Sequence, residues 1–299
     1  MGSPLCLQID APEPYSLWHC VRFQRMGKHD PRAQLTKITY HFCSIMPSGP
    51  VTAAVTHQAT TLHLELWGNG ADELVSQIGD QLGISMPLLG EEAAELPRQL
   101  MRLKAAGLRR TQRGSNRTVE TLVPIVLQQL VTWREAAASW RSLLMEYGSK
   151  APGPHELRCP PSLDTLAHLS LPDYRRLGVA AKRAKTIQAV CGAMIRYQDS
   201  PLEKQQRAIL SVPGIGPWTT EFYKGLELGD PDAVPTGDYH LPSTVAWALK
   251  AQRQATDMEM LELLQPFRGF RFDILRLIMG ANISVPRRNP RMPQRRVRN

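Results

Sequence analysis

Apolar and polar residues alternate early in this chain, and further along the apolar residues recur every three or four positions. The alternation runs from Leu35 to Trp67 and is interrupted at Ser48-Gly49-Pro50, a typical turn sequence. Alternation of this kind is typical of strands that bury one face. Beyond Thr111 it stops, and apolar residues follow helical spacing in segments separated by Pro- and Gly-rich turns. We therefore predict an α+β protein in which a small antiparallel sheet precedes a mostly helical part.

These patterns divide the chain into three parts. Residues 1–110 are predicted to form a mixed α/β domain with an antiparallel sheet, and residues 111–284 a helical domain. Residues 285–299 contain six arginines and no acidic residue, and so form a basic Arg/Pro tail. Such a tail suits a polyanionic surface such as nucleic acid. A tail that only improves solubility would have the same composition.

Composition excludes several classes of protein. The 299 residues are 42% apolar and 21% charged, with a net charge of +9, which is unlike disordered, collagen-like or fibrous chains. The five cysteines are widely spaced, so we expect neither a disulfide framework nor a zinc ribbon or iron–sulfur cluster. No stretch has the length and apolar character of a membrane span, and the first residues do not resemble a signal peptide. We therefore expect a cytoplasmic, nucleoid-associated protein without a membrane partner.

The most informative segment is Leu210–Thr219, which reads Leu-Ser-Val-Pro-Gly-Ile-Gly-Pro-Trp-Thr and lies between two apolar helical segments. Gly214 and Gly216 allow a tight turn, and Pro217 suits the first turn of the helix that follows. Backbone amides at such a helix start can hold a phosphate oxygen. A dinucleotide-binding loop is excluded, because no strand precedes the glycines and a third glycine is missing. The glycines alone would favour a purely structural corner between two helices.

The segment Asp230–His240, which reads Asp-Pro-Asp-Ala-Val-Pro-Thr-Gly-Asp-Tyr-His, follows this turn. Together the two segments resemble the helix-hairpin-helix DNA glycosylase superfamily, whose members combine a Pro-Gly-Ile-Gly-x-x-Thr hairpin with a later catalytic aspartate. Asp238 matches that aspartate. Within the superfamily the chain is most similar to the 3-methyladenine DNA glycosylase II group, because Trp218 stands where bifunctional members have a lysine. The resemblance extends to the early strands and to residues 122–130, 177–184 and 265–269.

The resemblance implies a DNA repair enzyme that hydrolyses the bond between deoxyribose and an alkylated purine such as 3-methyladenine. Asp238 would be the catalytic carboxylate that stabilises the positive charge developing on the sugar. Without a lysine nucleophile, the enzyme would be monofunctional and would leave an abasic site in an intact strand. Its partner would be double-stranded DNA containing damaged bases, bound by a monomer that rotates the base out of the helix. Without the hairpin, the favoured role of Asp238 would be to cap the helix that begins near Pro242.

The family's substrate pocket matches Trp218, Phe222 and Tyr239, whose electron-rich rings would attract a positively charged base. Trp218 and Phe222 are also four residues apart, so they could instead stack on a buried helix face. Gln129 and Leu130 match the loop that fills the gap left by the everted base, with Leu130 as the wedge. Helical periodicity would also allow Leu130 to lie in the core.

The remaining implied contacts involve the DNA backbone. The resemblance assigns them to hairpin positions Val212, Gly214, Ile215, Gly216 and Thr219. Lys182 and Arg183 form a basic run that could bind phosphates, and a solvated helix face would have the same pattern. In the resembling family, hairpin carbonyls also hold a monovalent cation, which corresponds here to the carbonyls of Leu210, Val212 and Ile215. No other cofactor is expected.

The chain departs from the family near its end, where Ile278 and Met279 stand in place of an aromatic residue that forms the opposite pocket wall. Two other functions remain open. One is a helix-hairpin-helix protein that binds DNA without turnover, and the other is a bifunctional glycosylase and AP lyase for oxidised bases. Lys224 is the lysine nearest to the nucleophile position in the sequence, but it does not match that position.

Overall fold

The computed structural model of the chain describes residues 2–86, 96–109, 111 and 117–286. One antiparallel sheet has five strands in the order β1-β5-β4-β3-β2. The strands are β1 (Leu5–Asp10), β2 (Ala33–Leu35), β3 (Thr39–Met46), β4 (Gly49–Gln58) and β5 (Thr61–Trp67). A second, short sheet pairs β6 (Ser149–Lys150) with β7 (Arg158–Cys159). The predicted antiparallel sheet is confirmed.

Helices make up most of the chain after the sheet. The α-helices of the described residues are α1 (Leu17–Val21), α2 (Ala71–Leu82), α3 (Arg98–Ala105), α4 (Thr118–Leu127), α5 (Trp133–Tyr147), α6 (Leu163–His168), α7 (Leu171–Arg176), α8 (Ala181–Tyr197), α9 (Leu202–Leu210), α10 (Pro217–Tyr223), α11 (Leu241–Lys250), α12 (Asp257–Leu264) and α13 (Arg271–Gly280). A π-helical turn at Lys224–Leu228 continues α10. Within this part of the chain, none of the helices is both long enough and apolar enough for a membrane crossing. The predicted α+β class is confirmed.

The sheet buries one face against α1 and α2. Val55 on β4 pairs with Leu64 on β5. Both are buried in an apolar cluster with Phe42 of β3, Leu17 of α1 and Leu74 of α2. Every second side chain of a strand points to the same face of the sheet, so this cluster explains the alternation in the sequence.

A second apolar cluster forms the core of the helical part. It joins α4, α5, α6, α8 and α10, and Leu127 of α4 and Ile187 of α8 are fully buried in it. The helix α5 begins with a capping box, in which the Thr132 hydroxyl accepts the Glu135 amide and the Glu135 carboxylate accepts the Thr132 amide. These bonds satisfy free donors at the helix start and fix where α5 begins.

A third apolar cluster joins α3 to α11, α12 and α13. Leu100 of α3 is fully buried there with Val245 of α11, Met260 of α12 and Leu277 of α13. The helix α3 lies within the range predicted for the N-terminal domain but packs on helices of the following range. Periodicity reveals an apolar face without revealing which element covers it. The ranges 1–110 and 111–284 remain predictions, and residues 287–299 of the predicted tail lie outside the described residues.

A buried polar network joins the sheet to the helical part. Arg32 and Glu120 of α4 form an ion pair of 3.0 Å, and each side chain is 3% exposed. Glu120 also accepts a hydrogen bond from the hydroxyl of Ser44 on β3. Asp30 accepts one of 3.1 Å from the indole nitrogen of Trp140 on α5. Removing one member of such a pair leaves a buried charge without compensation, so the network fixes the sheet relative to α4 and α5.

Candidate active site

The hairpin between α9 and α10 is a tight turn that requires glycine. Ile215 donates its amide to the carbonyl of Val212 at 3.0 Å, which closes the turn. Gly214 has a φ of +98°, and a Cβ there would lie 2.2 Å from Oγ1 of Thr186 on α8. A larger residue would therefore be strained and would clash. The hairpin lies directly against α8. Pro217 begins α10, as the sequence predicted.

Asp238 is held by a side chain of α10 and by the start of α11. Its Oδ2 accepts a hydrogen bond of 2.8 Å from Nε1 of Trp218. Its Oδ1 accepts hydrogen bonds from the backbone amides of His240 and Leu241, each at 2.7 Å. The helix α11 begins at Leu241 and its N-cap is His240, so Asp238 lies two residues before the N-cap position that was its alternative and bonds to the first amides of the helix from there. The bonds to Trp218 and to these amides use different oxygens, and together they fix the half-buried carboxylate beside Trp218.

An aromatic cluster extends from Trp218 into the protein. The rings of Trp218 and Phe222 meet edge to face, with centroids 5.0 Å apart. Phe222 in turn meets Phe272 of α13 edge to face at 6.4 Å. A Cβ at Gly225 would lie 2.5 Å from the Phe272 ring, so the glycine in the π-helical turn makes room for it. Phe222 is half-buried and packs on the core as well as on Trp218, which agrees with the alternative of stacking on a helix face. Its place in a substrate pocket stays a prediction.

Phe272 is the aromatic residue of α13 that sequence reasoning missed. In the resembling family an aromatic residue stands at the positions of Ile278 and Met279. Here Ile278 is fully buried in the third apolar cluster. Phe272 lies in the first turn of α13 instead, where its ring is 1% exposed and reaches Phe222. Little in the sequence indicates this contact, because a single aromatic residue in the first turn of a helix is common in protein cores.

Tyr239, the third residue assigned to the pocket, is 90% exposed. Its ring meets the ring of His240 edge to face at 4.8 Å. Among the described side chains, no ring contact joins Tyr239 to Trp218 or Phe222. The structure brings two of the three predicted pocket residues together and places the third at the surface beside Asp238.

The predicted wedge lies in the loop between α4 and α5. Leu130 is 97% exposed and has a φ of +58°, so the alternative of a core leucine is wrong. Its neighbour Gln129 turns towards the hairpin, and Nε2 donates to the carbonyl of Gly214 and to Oγ1 of Thr219, both at 2.9 Å. Thr219 is only 2% exposed and its hydroxyl accepts from Gln129, so only its backbone is left for the DNA contact predicted for it, and that contact stays a prediction. The wedge loop and the hairpin are thus joined through one side chain.

The two residues of the predicted basic run face in different directions. Lys182 is exposed on α8. Arg183 is only 8% exposed, and its Nη1 donates 2.6 Å to the carbonyl of Leu127 at the end of α4. Burial lowers the pKa of Arg183, and the nearby Glu135 carboxylate opposes that shift. The guanidinium satisfies a carbonyl at a helix end that would otherwise lack a partner, so Arg183 has a structural role, and the DNA contact predicted for it stays a prediction.

The hairpin carbonyls predicted to hold a cation belong to Leu210, Val212 and Ile215. The carbonyl of Val212 accepts the Ile215 amide, and a carbonyl has two lone pairs, so this bond leaves one for a further ligand. The side chain of Val212 is buried (9% exposed), so the DNA contact predicted for this residue would involve its backbone. Within the described residues, no group of three or more His, Cys, Asp or Glu side chains could hold a metal ion.

Lys224 forms an ion pair with Glu221. Its Nζ lies 2.8 Å from Oε1 of Glu221, one turn earlier. The amine of a Schiff-base lysine must be free and deprotonated to attack a sugar.

The chain is similar in sequence to one described protein, which is found in two bacterial strains. No family model matches the chain. Over 159 residues, 50% of its length, the chain is 31% identical to the "probable bifunctional transcriptional activator/DNA repair enzyme AlkA" of two Mycobacterium tuberculosis strains. The match covers 31% of those proteins, so the chain spans about a third of the length of the curated relatives it matches.

Several solved structures share the whole architecture. A 3-methyladenine DNA glycosylase from Archaeoglobus fulgidus superposes with a TM-score of 0.73 at 16% identity, covering 91% of this chain and 96% of that one. An 8-oxoguanine glycosylase/lyase from Clostridium acetobutylicum in its apo form gives 0.66 at 12% identity, covering 94% and 97%. The protein MBOgg1 in complex with a low-affinity DNA ligand gives 0.70 at 15% identity, covering 94% and 96%. At these identities the similarity concerns the fold.

Proposed function

The chain has the fold of the helix-hairpin-helix DNA glycosylases, and we propose that it is a glycosylase of base excision repair that releases alkylated purines such as 3-methyladenine. The observation that carries this proposal is the position of Asp238. Trp218 and two backbone amides orient its carboxylate beside the hairpin. The similarity over half of the chain to a protein described as a DNA repair enzyme agrees with it.

In the proposed reaction the bond between C1′ and the purine nitrogen breaks, and the electron pair leaves with the base. The sugar becomes an oxocarbenium-like cation, which the Asp238 carboxylate stabilises. Water then adds to C1′ and gives up its proton, for which Asp238 is an acceptor. Donation from Trp218 keeps the carboxylate oriented.

Alkylated purines suit this site because they carry their own positive charge. Such a base leaves readily, so the enzyme can act without a strong general acid. The rings of Trp218 and Phe222 offer an electron-rich face to a cation. The product is an abasic site in an intact strand, because a tryptophan occupies the nucleophile position and Lys224 is paired with Glu221.

The substrate is double-stranded DNA, bound by one copy of the protein with the damaged nucleotide rotated out of the helix. Leu130, exposed over nearly its whole surface, fills the space that the base leaves. The backbone of Gly214, Ile215 and Gly216 grips the damaged strand, and Lys182 contacts a phosphate. A monovalent cation held by carbonyls of the hairpin would bridge the protein to a phosphate and neutralise part of its charge.

The test is to incubate the protein with randomly methylated DNA and to identify the purines that are released. We expect 3-methyladenine among them, and no release by Asp238→Asn. The asparagine can still cap α11, so this variant should fold and should bind abasic-site DNA as the wild type does. Asp164→Asn, which changes a carboxylate that is 80% exposed on α6, is the matched control and should retain full activity.

Other outcomes of the same assay would assign another function. Equal base release by Asp238→Asn would contradict the proposed role of that residue. A covalent DNA adduct trapped with borohydride would favour a glycosylase/lyase for oxidised bases. Tight binding to abasic-site DNA without release of any base would favour a DNA-binding protein without turnover.

A further inference from the structure

Asp257 is an acidic residue close to the candidate site to which the proposed chemistry gives no role. It is the first residue of α12, and its Oδ2 accepts a hydrogen bond of 2.9 Å from the backbone amide of Gly237. Gly237 directly precedes Asp238 in the chain. A carboxylate at the start of one helix therefore holds the peptide that leads into the acidic residue of the candidate site.

The segment that carries Asp238 passes from the core to the surface. Val234 is buried in the third apolar cluster, whereas Gly237 is exposed and has a φ of +81°. After Asp238, the first amides of α11 bond to its carboxylate, and Trp218 bonds to the same group. The bond from Gly237 to Asp257 provides an anchor on the other side. The backbone is thus held both before and after Asp238.

The position of Asp257 is fixed by the way in which α12 begins. A capping box joins Thr256 and Glu259, in which the Thr256 hydroxyl accepts the Glu259 amide and the Glu259 carboxylate accepts the Thr256 amide. The hydroxyl of Ser243 on α11 accepts the amide of Ala255 at 3.3 Å. Both helices also contribute to the third apolar cluster. Asp257 therefore has a defined place relative to α11.

We propose that Asp257 is a positioning residue for base release, which acts through Gly237 on the position of Asp238. In the proposed reaction the Asp238 carboxylate must lie beside C1′ when positive charge develops there, and a small displacement weakens its effect. The bonds at Asp238 itself set the orientation of its carboxylate, whereas the bond at Gly237 limits how far the backbone moves away from α12. This inference rests on the proposed function and adds to it a residue that touches neither base nor sugar.

The surroundings of this bond allow a loss of position to be separated from a loss of stability. Within the part of the chain that the structure describes, Oδ1 of Asp257 is buried and has no hydrogen-bond partner, which is unfavourable for a carboxylate. Gly237 is exposed, so its amide can bond to water when Asp257 is replaced. Alanine at this position removes an unpaired buried oxygen together with the hydrogen bond, and we expect the melting temperature to change little.

The experiment uses the full chain in excess over randomly methylated DNA and measures the single-turnover rate of 3-methyladenine release. In Asp257→Ala this rate should fall by about tenfold or more, since a displacement of about 1 Å can reduce a rate about a hundredfold. The affinity for a duplex with a tetrahydrofuran abasic site should equal that of the wild type. Asp257→Asn keeps an acceptor for the Gly237 amide and should restore most of the rate. Asp72→Ala, which removes an exposed acid from the first turn of α2, is the matched control and should behave as the wild type.

A second measurement asks whether the effect of Asp257 passes through Asp238. Trp218→Phe removes another group that positions the same carboxylate. If both residues act on Asp238, the rate loss of the double variant should be smaller than the product of the two single losses, by about threefold or more. Melting temperatures identify a variant that fails to fold. If Asp257→Ala is such a variant, Gly237→Ala decides instead, because it strains the same peptide at its positive φ and leaves α12 intact.

The outcomes separate this inference from the proposed function. If the wild type releases methylated purines and Asp257→Ala releases them as fast as Asp72→Ala does, the role of Asp257 is overturned alone. An Asp257→Asn rate as low as that of Asp257→Ala would also overturn it, because the acceptor would not be the cause. A double variant whose loss equals the product would show that Asp257 acts elsewhere than on Asp238. If the wild type releases no base, the proposed function fails, and the role of Asp257 fails with it.

Discussion

The indole nitrogen of Trp218 lies 2.8 Å from Oδ2 of Asp238. Trp218 belongs to α10, whereas Asp238 lies in the loop that precedes α11. The same indole packs edge to face on Phe222. A single side chain thus orients the acidic group and forms part of the aromatic cluster. In the proposed reaction this places the carboxylate at one edge of the ring system that receives the base.

Replacing Trp218 with phenylalanine should separate its two contributions. The ring is kept, but the donor to Asp238 is lost, and a hydrogen bond to a charged group contributes about 1.5–3 kcal/mol. We expect the single-turnover rate of base release to fall at least tenfold while affinity for abasic DNA changes little. The half-buried Trp247 of α11 provides the control, because Trp247→Phe should leave the rate intact. A Trp218→Phe rate equal to that of the wild type would refute the orienting role.

Gln129→Ala should uncouple the wedge loop from the hairpin. The change removes the bonds to the Gly214 carbonyl and to Thr219 Oγ1, each worth about 1 kcal/mol. We expect roughly tenfold weaker binding of abasic DNA in a titration by fluorescence anisotropy. Gln206→Ala on α9, beside the hairpin in sequence, should bind normally. If Gln129→Ala binds abasic DNA as tightly as Gln206→Ala does, the hydrogen bonds of Gln129 do not contribute to DNA binding.

Lys182 and Arg183 are adjacent in sequence, yet their substitution by glutamine should have opposite effects. Arg183→Gln should lower the free energy of unfolding by about 1–3 kcal/mol, because the carbonyl of Leu127 loses its buried partner. Lys182→Gln should leave stability unchanged and reduce the salt dependence of DNA binding. Urea denaturation and binding at several salt concentrations measure the two effects. If Arg183→Gln keeps full stability and shows a reduced salt dependence of DNA binding, Arg183 contacts DNA and its structural role is refuted.

Asp232 should contribute to stability at neutral pH and lose that contribution in acid. Burial raises its pKa, but the hydrogen bond and charge of Arg271 and the amide of Gly269 outweigh this and hold the pKa below its usual range. A carboxylate with a lowered pKa in the folded state stabilises the fold above its unfolded pKa of about 3.9. That stabilisation disappears as the pH falls through the lower folded value.

The measurement is the free energy of unfolding of the wild type and of Asp232→Asn between pH 7 and pH 2. The gap between the two proteins should be largest near neutrality and should narrow as the pH falls below about 4. Asp199→Asn, at an exposed position after α8, should show no such trend. A gap for Asp232→Asn that is independent of pH would exclude the ion pair with Arg271 as its cause.

Much of the architecture could be predicted because it follows from local rules. Alternation between Leu35 and Trp67 predicted β3, β4 and β5, although not β1, β6 or β7. The glycines of the hairpin predicted a turn, and the +98° φ of Gly214 requires glycine there. Asp238 was singled out because it matches the catalytic aspartate of the resembling family. The sequence also indicated a place for Asp238 at the start of the following helix, because such contacts depend on residues close in sequence.

The contacts between distant segments could not be predicted in this way. Periodicity showed that Leu130 and Phe222 are apolar positions on helical faces, but not that one is 97% exposed and the other meets Phe272. The adjacent charges of Lys182 and Arg183 are equivalent in sequence, and only the packing of α8 on α4 buries one of them.

The sequence by itself determined the central strands of the sheet, most of the helices, where the hairpin turns and which acid follows it. The tertiary structure alone decided which side chains surround that acid, that Gln129 joins the wedge loop to the hairpin, and that Trp133 stands exposed beside Leu130. The physical reason is that backbone conformation depends on neighbours a few residues away, whereas burial depends on which surfaces meet when helices and sheet pack together.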